Sequence, residues 1–364
     1  MSGPGIEGMV LDKYKILKKL GAGAMGAVFQ AQDTYTNEVV ALKILAPKLA
    51  KDESYLKRFK REVRAARELN HPNIIRVFDA GEYKGFHYFT MEFVEGKSVM
   101  ELLEEKKRLP LKMALKITYE VAKALDHAHE LHIVHRDIKP ANIIVDPKKG
   151  VKLADMGLAK KVGDGGYTDI TMAGKVMGTP FYLAPERISE EGDKIDTRAD
   201  IYSLGATLYH MIYGMVPFQG DPRNPFKVYH QILHEEVSFP PDPPLPESMK
   251  NLIRKMMAKS PSQRHRTPKE LLQEIEIIVA ELEGRKVSPP SPSKPLKQAK
   301  VASASPKESS KEVEKKGSSW FLKFFIFILI LLCALGGAIY FADQLGIPLL
   351  IHLKERITSF LNQI

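Results

Sequence analysis

The first quarter of the chain alternates between apolar and polar positions. Five such runs lie between Tyr14 and Val94, and they are rich in β-branched residues, as strands with one buried face are. They are Tyr14–Leu20, Ala27–Asp33, Glu38–Leu45, Ile75–Glu82 and His87–Phe93. Ser54–Leu69 instead has helical apolar spacing and ends before His71-Pro72. We therefore predict a lobe over about residues 14–94, with a five-stranded antiparallel sheet and one helix.

Beyond Val94 the apolar period changes to that of helices. The segments with this period are Met113–Glu130, Ala199–Tyr213, Ser248–Lys259 and Lys269–Leu282. A mostly helical second lobe is therefore predicted over about residues 95–283. The two lobes together give an α+β domain over residues 14–283.

Residues 284–319 consist largely of Pro, Ser, Lys and Ala. Nine basic and three acidic residues give this stretch a net charge of +6, out of +10 for the whole chain. Such a composition buries too little apolar surface to offset the ordering entropy, so we predict a disordered basic linker. Because most of the excess charge lies there, we expect no nucleic-acid partner for the folded domain.

An uncharged run of eighteen residues, Phe324–Phe341, follows this linker. At about 1.5 Å per residue, a helix of this length crosses a hydrocarbon core of about 30 Å if its flanks contribute. A buried core helix is the alternative, but we find little for it to pack against. We predict a transmembrane helix over residues 320–342 and a short amphipathic tail over residues 343–364. The positive-inside rule then places the linker and both lobes in the cytoplasm.

The sequence indicates neither a signal peptide nor an intrachain disulfide. The N-terminal residues lack the apolar segment of a signal peptide. Cys333 is the one cysteine of the chain, so the fold does not depend on an intrachain disulfide.

The sequence GAGAMGAV occupies residues 21–28. Its glycines allow a backbone to close over phosphates without side chains in the way. Dinucleotide-binding folds use the same glycine spacing, but there the loop opens a helix. Here Ala27–Asp33 is a predicted strand, which favours a strand-turn-strand cover over a nucleotide.

Lys43 lies in the apolar strand VALKIL, and Glu62 lies in the predicted helix. Taken singly, they have ordinary explanations as an exposed strand lysine and a solvated helix carboxylate. After a glycine loop, they fit a buried ion pair that orients ATP phosphates.

The sequence HRDIKPAN occupies residues 135–142 and brings together Asp137, Lys139 and Asn142. Phosphoryl transfer to a hydroxyl needs a carboxylate that accepts the proton, a cation for the γ-phosphate and an oxygen ligand for a metal. Asp155 follows in the sequence Asp-Met-Gly, placed to bind Mg²⁺, which prefers carboxylate oxygens. Ala184-Pro185-Glu186 closes the loop after it.

These motifs, in this order, resemble the eukaryotic-type (Hanks-type) Ser/Thr protein kinases over about residues 14–282. The order of kinase domain, basic linker and single span is most similar to bacterial membrane-anchored Ser/Thr kinases. Lys139 and Thr179 are similar to the serine/threonine class rather than the tyrosine class. The resemblance implies a bilobal protein kinase fold. It also implies ATP and Mg²⁺ as cofactors, with Mn²⁺ as a substitute, and protein Ser/Thr hydroxyls as acceptors.

The resemblance also assigns roles to single residues. Asp137 would be the catalytic base, Lys139 would lie beside the γ-phosphate, and Lys43 would hold the α/β-phosphates, locked by Glu62. Asn142 and Asp155 would bind Mg²⁺. The ATP-binding positions would be Leu20, Gly21, Ala22, Gly23, Ala24, Met25, Gly26, Ala27, Val28, Ala41, Lys43, Met91 (the gatekeeper), Glu92 and Val94, with Glu92–Val94 as the hinge that meets adenine. The structural and substrate-positioning residues would be Thr179, Glu186 paired with Arg264, and Asp200, which would brace the catalytic loop.

Arg136 precedes the catalytic aspartate. Kinases with this arginine usually need a phosphate in the activation loop to neutralise it. We therefore predict autophosphorylation on Thr168 or Thr171; the alternative is that both are ordinary polar loop residues.

Met156 stands where the family pattern has Phe. The neighbouring metal ligand is unchanged, and Met is an adaptable apolar filler. The expected consequence concerns the equilibrium between active and inactive states and the binding of inhibitors.

Three functions are to be distinguished. The first is a single-pass kinase on the cytoplasmic face of a bacterial cell membrane, with a transient homodimer for trans-autophosphorylation. The second is a pseudokinase scaffold, which would normally lack a residue such as Lys43 or Asp137. The third is a small-molecule kinase, against which the peptide-positioning segment from Thr179 to Glu186 argues.

Overall fold

The computed structural model of the chain describes residues 6–23, 26–156, 180–188, 196–221 and 224–285. Within these residues the predicted two-lobed architecture is confirmed. A curled antiparallel sheet forms the first lobe, and helices form most of the second.

The sheet of the first lobe has the strand order β1-β2-β3-β4-β6-β5. Its strands are β1 (Val10–Leu11), β2 (Tyr14–Gly23), β3 (Gly26–Asp33), β4 (Val39–Leu45), β5 (Val77–Tyr83) and β6 (Phe86–Glu92). The sheet thus has six described strands where the sequence predicted five. The additional strand, β1, is two residues long and returns through Asp12 at a φ of 55°. A two-residue strand is too short to show periodicity.

Two helices, rather than the one predicted, connect β4 to β5. They are α1 (Pro47–Ala50), a single turn, and α2 (Glu53–Arg67). The carboxylate of Asp52 caps α2 by accepting a hydrogen bond from the Tyr55 amide at 3.0 Å. Phe59 and Val63 on α2 pack with Phe89 of the sheet, which holds the helix against the lobe.

The second lobe contains six described helices and a small sheet. These are α3 (Val99–Lys106), α4 (Leu111–Glu130), α5 (Arg198–Tyr213), α6 (Phe226–His234), α7 (Glu247–Met256) and α8 (Pro268–Leu282), with β7 (Lys97–Ser98), β8 (Ile143–Asp146) and β9 (Gly150–Leu153). The four predicted helices correspond to α4, α5, α7 and α8. The prediction missed α3 and α6, whose eight and nine residues span barely two turns.

Helix α5 is the centre of the second lobe. Its side chains are buried all round, and Tyr202 and Tyr209 are among the largest fully buried groups of the described residues. Such a helix has no amphipathic stripe, because it packs on every face. It therefore provides a rigid base from which Asp200 reaches the candidate active site.

The predicted linker, transmembrane helix and tail over residues 284–319, 320–342 and 343–364 lie, apart from Gly284 and Arg285, outside the described residues. Among the helices that the structure describes, none is both long and apolar enough to cross a membrane.

Candidate active site

The glycine-rich segment is the hairpin of β2 and β3. Gly23 pairs with Gly26, and Gly21 pairs with Val28, so a strand follows the glycines as predicted. Gly26 has a φ of 145°, and a Cβ there would lie 2.0 Å from the carbonyl oxygen of Ile44. An added Cβ at Gly21 or Gly23 meets no atom within 4 Å. The fold therefore requires glycine at Gly26, whereas Gly21 and Gly23 leave open space beside the hairpin.

An apolar cluster of the first lobe contains four of the predicted nucleotide contacts. Ala41 and Met91 are buried in it, and Val28 and Val94 are partly buried against it. The β3–β4 and β4–β6 pairings place these strands side by side. Side chains from four separate segments thus meet in one apolar surface of a kind that suits a flat ring.

Lys43 connects the two lobes. Its ammonium Nζ lies 2.6 Å from Oδ1 of Asp155 and 5.9 Å from the ring centre of Phe89. Only 15% of the Lys43 side chain is exposed. The predicted phosphate ligand and the predicted metal ligand therefore lie next to each other.

Glu62 lies on α2, half-buried beside Val63. Glu62 takes part in a non-covalent interaction in the structure. The contact that the structure gives for the ammonium of Lys43 is with Asp155, and the Lys43–Glu62 pair stays a prediction.

Three predicted site residues meet just before β8, in the small sheet of the second lobe. They are Asp137, Lys139 and Asn142. The Lys139 ammonium lies 2.8 Å from Oδ2 of Asp137. The Asn142 amide nitrogen donates to the same oxygen at 3.1 Å and to the Asp137 carbonyl at 2.8 Å. These two bonds fix the rotamer of Asn142 and turn its amide oxygen away from Asp137.

His135 is fully buried and joins the catalytic loop to the strand that leads to Asp155. Its Nδ1 accepts a hydrogen bond from the Asp137 amide at 3.1 Å, so the proton of the neutral ring lies on Nε2. That Nε2 donates to the carbonyl of Ala154 at 2.8 Å. One side chain thus aligns the segment that carries the predicted catalytic base, Asp137, with the segment that carries the predicted metal ligand, Asp155.

Asp200 holds the backbone of the catalytic loop from below, on α5. Its carboxylate accepts hydrogen bonds from the amides of His135 and Arg136, both at 2.8 Å, and lies 3.1 Å from Nε2 of His129. Complete burial alone would raise the pKa of Asp200, but the His129 hydrogen bond and the neighbouring histidines hold it below its ordinary value.

Two residues of the site have an uncommon backbone conformation. Arg136 has a φ of 66°, and Asp155 has a φ of 55°. For residues other than glycine, this region costs about 1–3 kcal/mol and persists only where surrounding contacts enforce it. At Arg136 those contacts are the Asp200 carboxylate and the Arg187 guanidinium, which donates to the Arg136 carbonyl.

The donor set fits a divalent metal. Asn142 offers an amide oxygen and Asp155 a carboxylate, and hard cations such as Mg²⁺ prefer oxygen ligands of this kind. The backbone joins the two residues, because the Ala154 amide donates to the Asn142 carbonyl at 2.9 Å. Among the described residues there is no cluster of three or more His, Cys, Asp or Glu side chains that would form a separate metal site.

Met156 is 5% exposed and belongs to the apolar core of the second lobe. It therefore packs as an apolar filler, which agrees with the prediction from its side chain.

Glu186 and Arg264 form a buried bidentate ion pair. Both N–O distances are 2.7 Å, and Arg264 is 3% exposed. The same guanidinium also donates to the carbonyls of Ala258, Lys259 and Arg198. This pair attaches the end of the predicted peptide-positioning segment to the helical core.

Several predicted positions lie outside the described residues. They are Ala24 and Met25 of the glycine loop, the phosphorylation candidates Thr168 and Thr171, and Thr179.

Comparison with known proteins decides the family. A model described as the protein kinase domain matches residues 14–275. The chain belongs to the protein kinase family. Members of this family use ATP and a divalent metal, in agreement with the donor set around Asp155.

Bacterial serine/threonine kinases are among the relatives of this chain. It is 35% identical to the serine/threonine-protein kinase PrkC of Bacillus subtilis over 266 residues, 73% of this chain and 40% of PrkC. It is 36% identical to PknB of Mycobacterium tuberculosis over 270 residues, 71% of this chain and 42% of PknB. The crystal structure of the M. tuberculosis PknI kinase domain matches with a TM-score of 0.60 at 29% identity, covering 74% of this chain and 98% of that domain. The match therefore spans about two-fifths of each curated relative.

Sequence reasoning missed several residues of the kinase site. Ile144 and Ala154 add the second-lobe side of the apolar cluster, and His135 aligns the catalytic loop. Ile144 had a usable signal, because it lies two residues beyond Asn142 in an apolar strand. Lys149 and Lys152, which contact the hinge, had none, since their partners are 57 and 60 residues away in the sequence.

Proposed function

We propose that this kinase transfers the γ-phosphate of Mg-ATP to serine and threonine hydroxyls of proteins. The observation that carries the proposal is the convergence of Lys139 and Asn142 on Asp137. A carboxylate held by two donors in a fixed rotamer is a preorganised proton acceptor.

Each residue of the site would have a separate role in the transfer. Asp137 would orient the acceptor hydroxyl and take its proton, and Lys139 would neutralise charge on the transferred group. Lys43 would hold the α/β-phosphates, and its contact with the proposed metal ligand Asp155 supports this role. Asn142 and Asp155 would hold Mg²⁺, which neutralises phosphate charge when bound. The proposal is supported at the hairpin by the open space at Gly21 and Gly23, where an added Cβ meets no atom within 4 Å.

The test uses the full-length chain with labelled ATP, Mg²⁺ and a protein substrate that carries serine and threonine. We expect transfer to the substrate, with phosphoserine and phosphothreonine but no phosphotyrosine after hydrolysis. The matched control is Asp137→Asn, which keeps the shape of the side chain and removes the base. Equal transfer by both proteins would contradict the assignment of Asp137.

The pseudokinase scaffold is the second candidate, and the same experiment separates it. A scaffold would bind nucleotide, and phosphate transfer would be the same for wild type and Asp137→Asn. Lys43, Asp137, Asn142 and Asp155 are all present, which supports the enzyme instead.

Activation by autophosphorylation is a further part of the proposal. Arg136 lies next to the proposed catalytic base Asp137, and a phosphate on Thr168 or Thr171 would add negative charge near this arginine. Mass spectrometry of the full-length chain after incubation with Mg-ATP tests this. Labelling confined to linker serines would contradict it. A rate per molecule that rises with protein concentration would support phosphorylation within a transient homodimer.

We also propose that the chain is anchored in the bacterial cell membrane by residues 320–342, with the kinase domain in the cytoplasm. The support is the uncharged run Phe324–Phe341 after a basic segment. Carbonate extraction of membranes should leave the full-length chain in the pellet. Release of the double variant Leu331→Arg/Leu332→Arg, together with retention of wild type, is the expected result. Release of both proteins would exclude the anchor.

A further inference from the structure

The hinge after β6 lies against the turn that joins β8 to β9. Asp146 shapes this turn, because its Oδ1 accepts hydrogen bonds from the amides of Lys148 and Lys149 at 2.7 and 2.9 Å. The other oxygen, Oδ2, accepts a bond from the amide of Glu95 at 3.0 Å. Asp146 is 4% exposed, so these bonds are sheltered from water.

Two lysines from the same part of the second lobe approach the hinge. Lys152 on β9 lies 2.9 Å from Oε2 of Glu92, and Lys149 lies 3.1 Å from Oε1. The Lys149 ammonium also donates to the carbonyl of Phe93 at 2.9 Å. Burial alone would raise the pKa of Glu92, but the two ammonium groups hold it below its ordinary value. The carboxylate is therefore charged and bound at both oxygens.

Peptide planarity gives these contacts a consequence for Val94. In a trans peptide, the carbonyl of one residue and the amide of the next point in opposite directions. Because Lys149 holds the Phe93 carbonyl toward the turn, the Val94 amide points away from it. Because Asp146 holds the Glu95 amide toward the turn, the Val94 carbonyl also points away. Among the described residues, neither Val94 group takes part in a hydrogen bond.

We propose that Asp146, Lys149 and Lys152 form a hinge clamp that aims the amide and carbonyl of Val94 at the adenine of the nucleotide. The three side chains are positioning residues, since each one contacts the hinge or the residue that follows it. The inference rests on the proposed function in that it takes ATP as the ligand. It adds that adenine recognition depends on residues of the β8–β9 turn and of β9, and not on the hinge alone.

The test replaces Lys149, which is 45% exposed and whose loss leaves the core intact. Lys149→Met should raise the KM for ATP by about three- to tenfold, the range expected for one lost hydrogen bond of ordinary strength at a partly exposed site, with kcat changed by less than about twofold. Lys148→Met is the matched control, because Lys148 lies in the same turn, its side chain is 83% exposed, and its ammonium has an ion pair only with Glu95, at 3.6 Å, among the described residues. It should leave KM unchanged. Lys149→Arg should restore most of the affinity.

A binding measurement separates this inference from the proposed function. We expect Lys149→Met to weaken the binding of adenosine, which has the base but no phosphates, and to leave the binding of Mg-tripolyphosphate unchanged. That pattern supports the clamp even if no phosphate transfer is detected. Equal adenosine affinities for Lys149→Met and Lys148→Met would overturn it. A parallel loss of adenosine and tripolyphosphate binding would also overturn it, since this would show a general disturbance of the site.

Discussion

The two sides of the nucleotide cleft are held by different means. On the side of the second lobe, the catalytic loop is fixed by buried groups, with Asp200 at 1% and His135 at 0% exposure. On the side of the first lobe, the end of β2 from Leu17 to Gly23 is exposed, and Leu20 is 44% accessible. The described part of the catalytic loop is therefore held by buried protein contacts, whereas the described end of β2 is exposed.

This difference matches the tasks of the two sides. Proton acceptance needs fixed geometry, since misplacement of a catalytic group by a fraction of an ångström is costly. A cover over phosphates has to open for exchange of nucleotide and close again. Lys43 and Asp155 connect the two sides directly, because the ammonium of the first-lobe lysine lies 2.6 Å from the Asp155 carboxylate.

The largest effect is expected at Asp200. Asp200→Ala leaves the amides of His135 and Arg136 and the ring of His129 without their shared acceptor, and we expect a loss of about 3–5 kcal/mol in the free energy of unfolding. Phosphate transfer should fall as well, because Arg136 loses the contact that holds its left-handed conformation. Chemical denaturation and transfer rates measure both quantities. Leu20→Ala on the hairpin is the control, with a change within about 0.5 kcal/mol; similar losses for both would break the comparison.

Within the hairpin, Gly26 should be sensitive to substitution in the way that the buried residues of the catalytic side are. Gly26→Ala forces a Cβ toward the Ile44 carbonyl at a φ of 145°, and we expect a loss of about 2–4 kcal/mol. Gly21→Ala meets no protein atom, so its stability should stay near that of wild type while its KM for ATP rises. Thermal unfolding and nucleotide titration of the two variants check this. Equal stabilities would show that the hairpin adapts freely even at Gly26.

The pH dependence of stability should come from the second lobe. The His265 hydrogen bond, which outweighs the opposing effect of burial, and the Lys255 ammonium lower the pKa of Glu274 to about 2. A lowered carboxyl pKa stabilises the fold above the ordinary value of 4.5. That contribution is lost as the pH falls toward 2.

Glu274→Gln tests this contribution. It should cost about 1–3 kcal/mol at neutral pH and flatten the decline in stability below pH 4.5. Unfolding curves across this pH range measure the slope. Glu281→Gln, an exposed position on the same helix, should keep the slope of wild type. An unchanged slope in Glu274→Gln would assign the acid sensitivity elsewhere.

The sequence predicted those parts of the site that are local in the chain. Asp137, Lys139 and Asn142 lie within six residues, and the strand and helix periods located the lobes. The contact of Asp200 with Arg136, 64 positions apart, was expected from the family resemblance and not from any period or spacing. The contact of Lys149 with Glu92, 57 positions apart, was missed, because it depends on how the hinge packs against the β8–β9 turn. The short elements β1, α3 and α6 were missed for a different reason, since they contain too few residues to show a period.

The smallest effect is expected at Met156, where the family pattern has Phe. The side chain is 5% exposed in the core of the second lobe, and Met adapts to irregular space. Met156→Phe should change the free energy of unfolding by less than about 1.5 kcal/mol, and transfer should change little because Lys43 holds Asp155 from the other side. Met156→Ala is the control, with an expected loss of about 2–5 kcal/mol from the cavity. If Met156→Phe cost as much as Met156→Ala, the core under Asp155 would be packed for methionine alone. The rigidity of the catalytic side would then extend to the residue after its metal ligand.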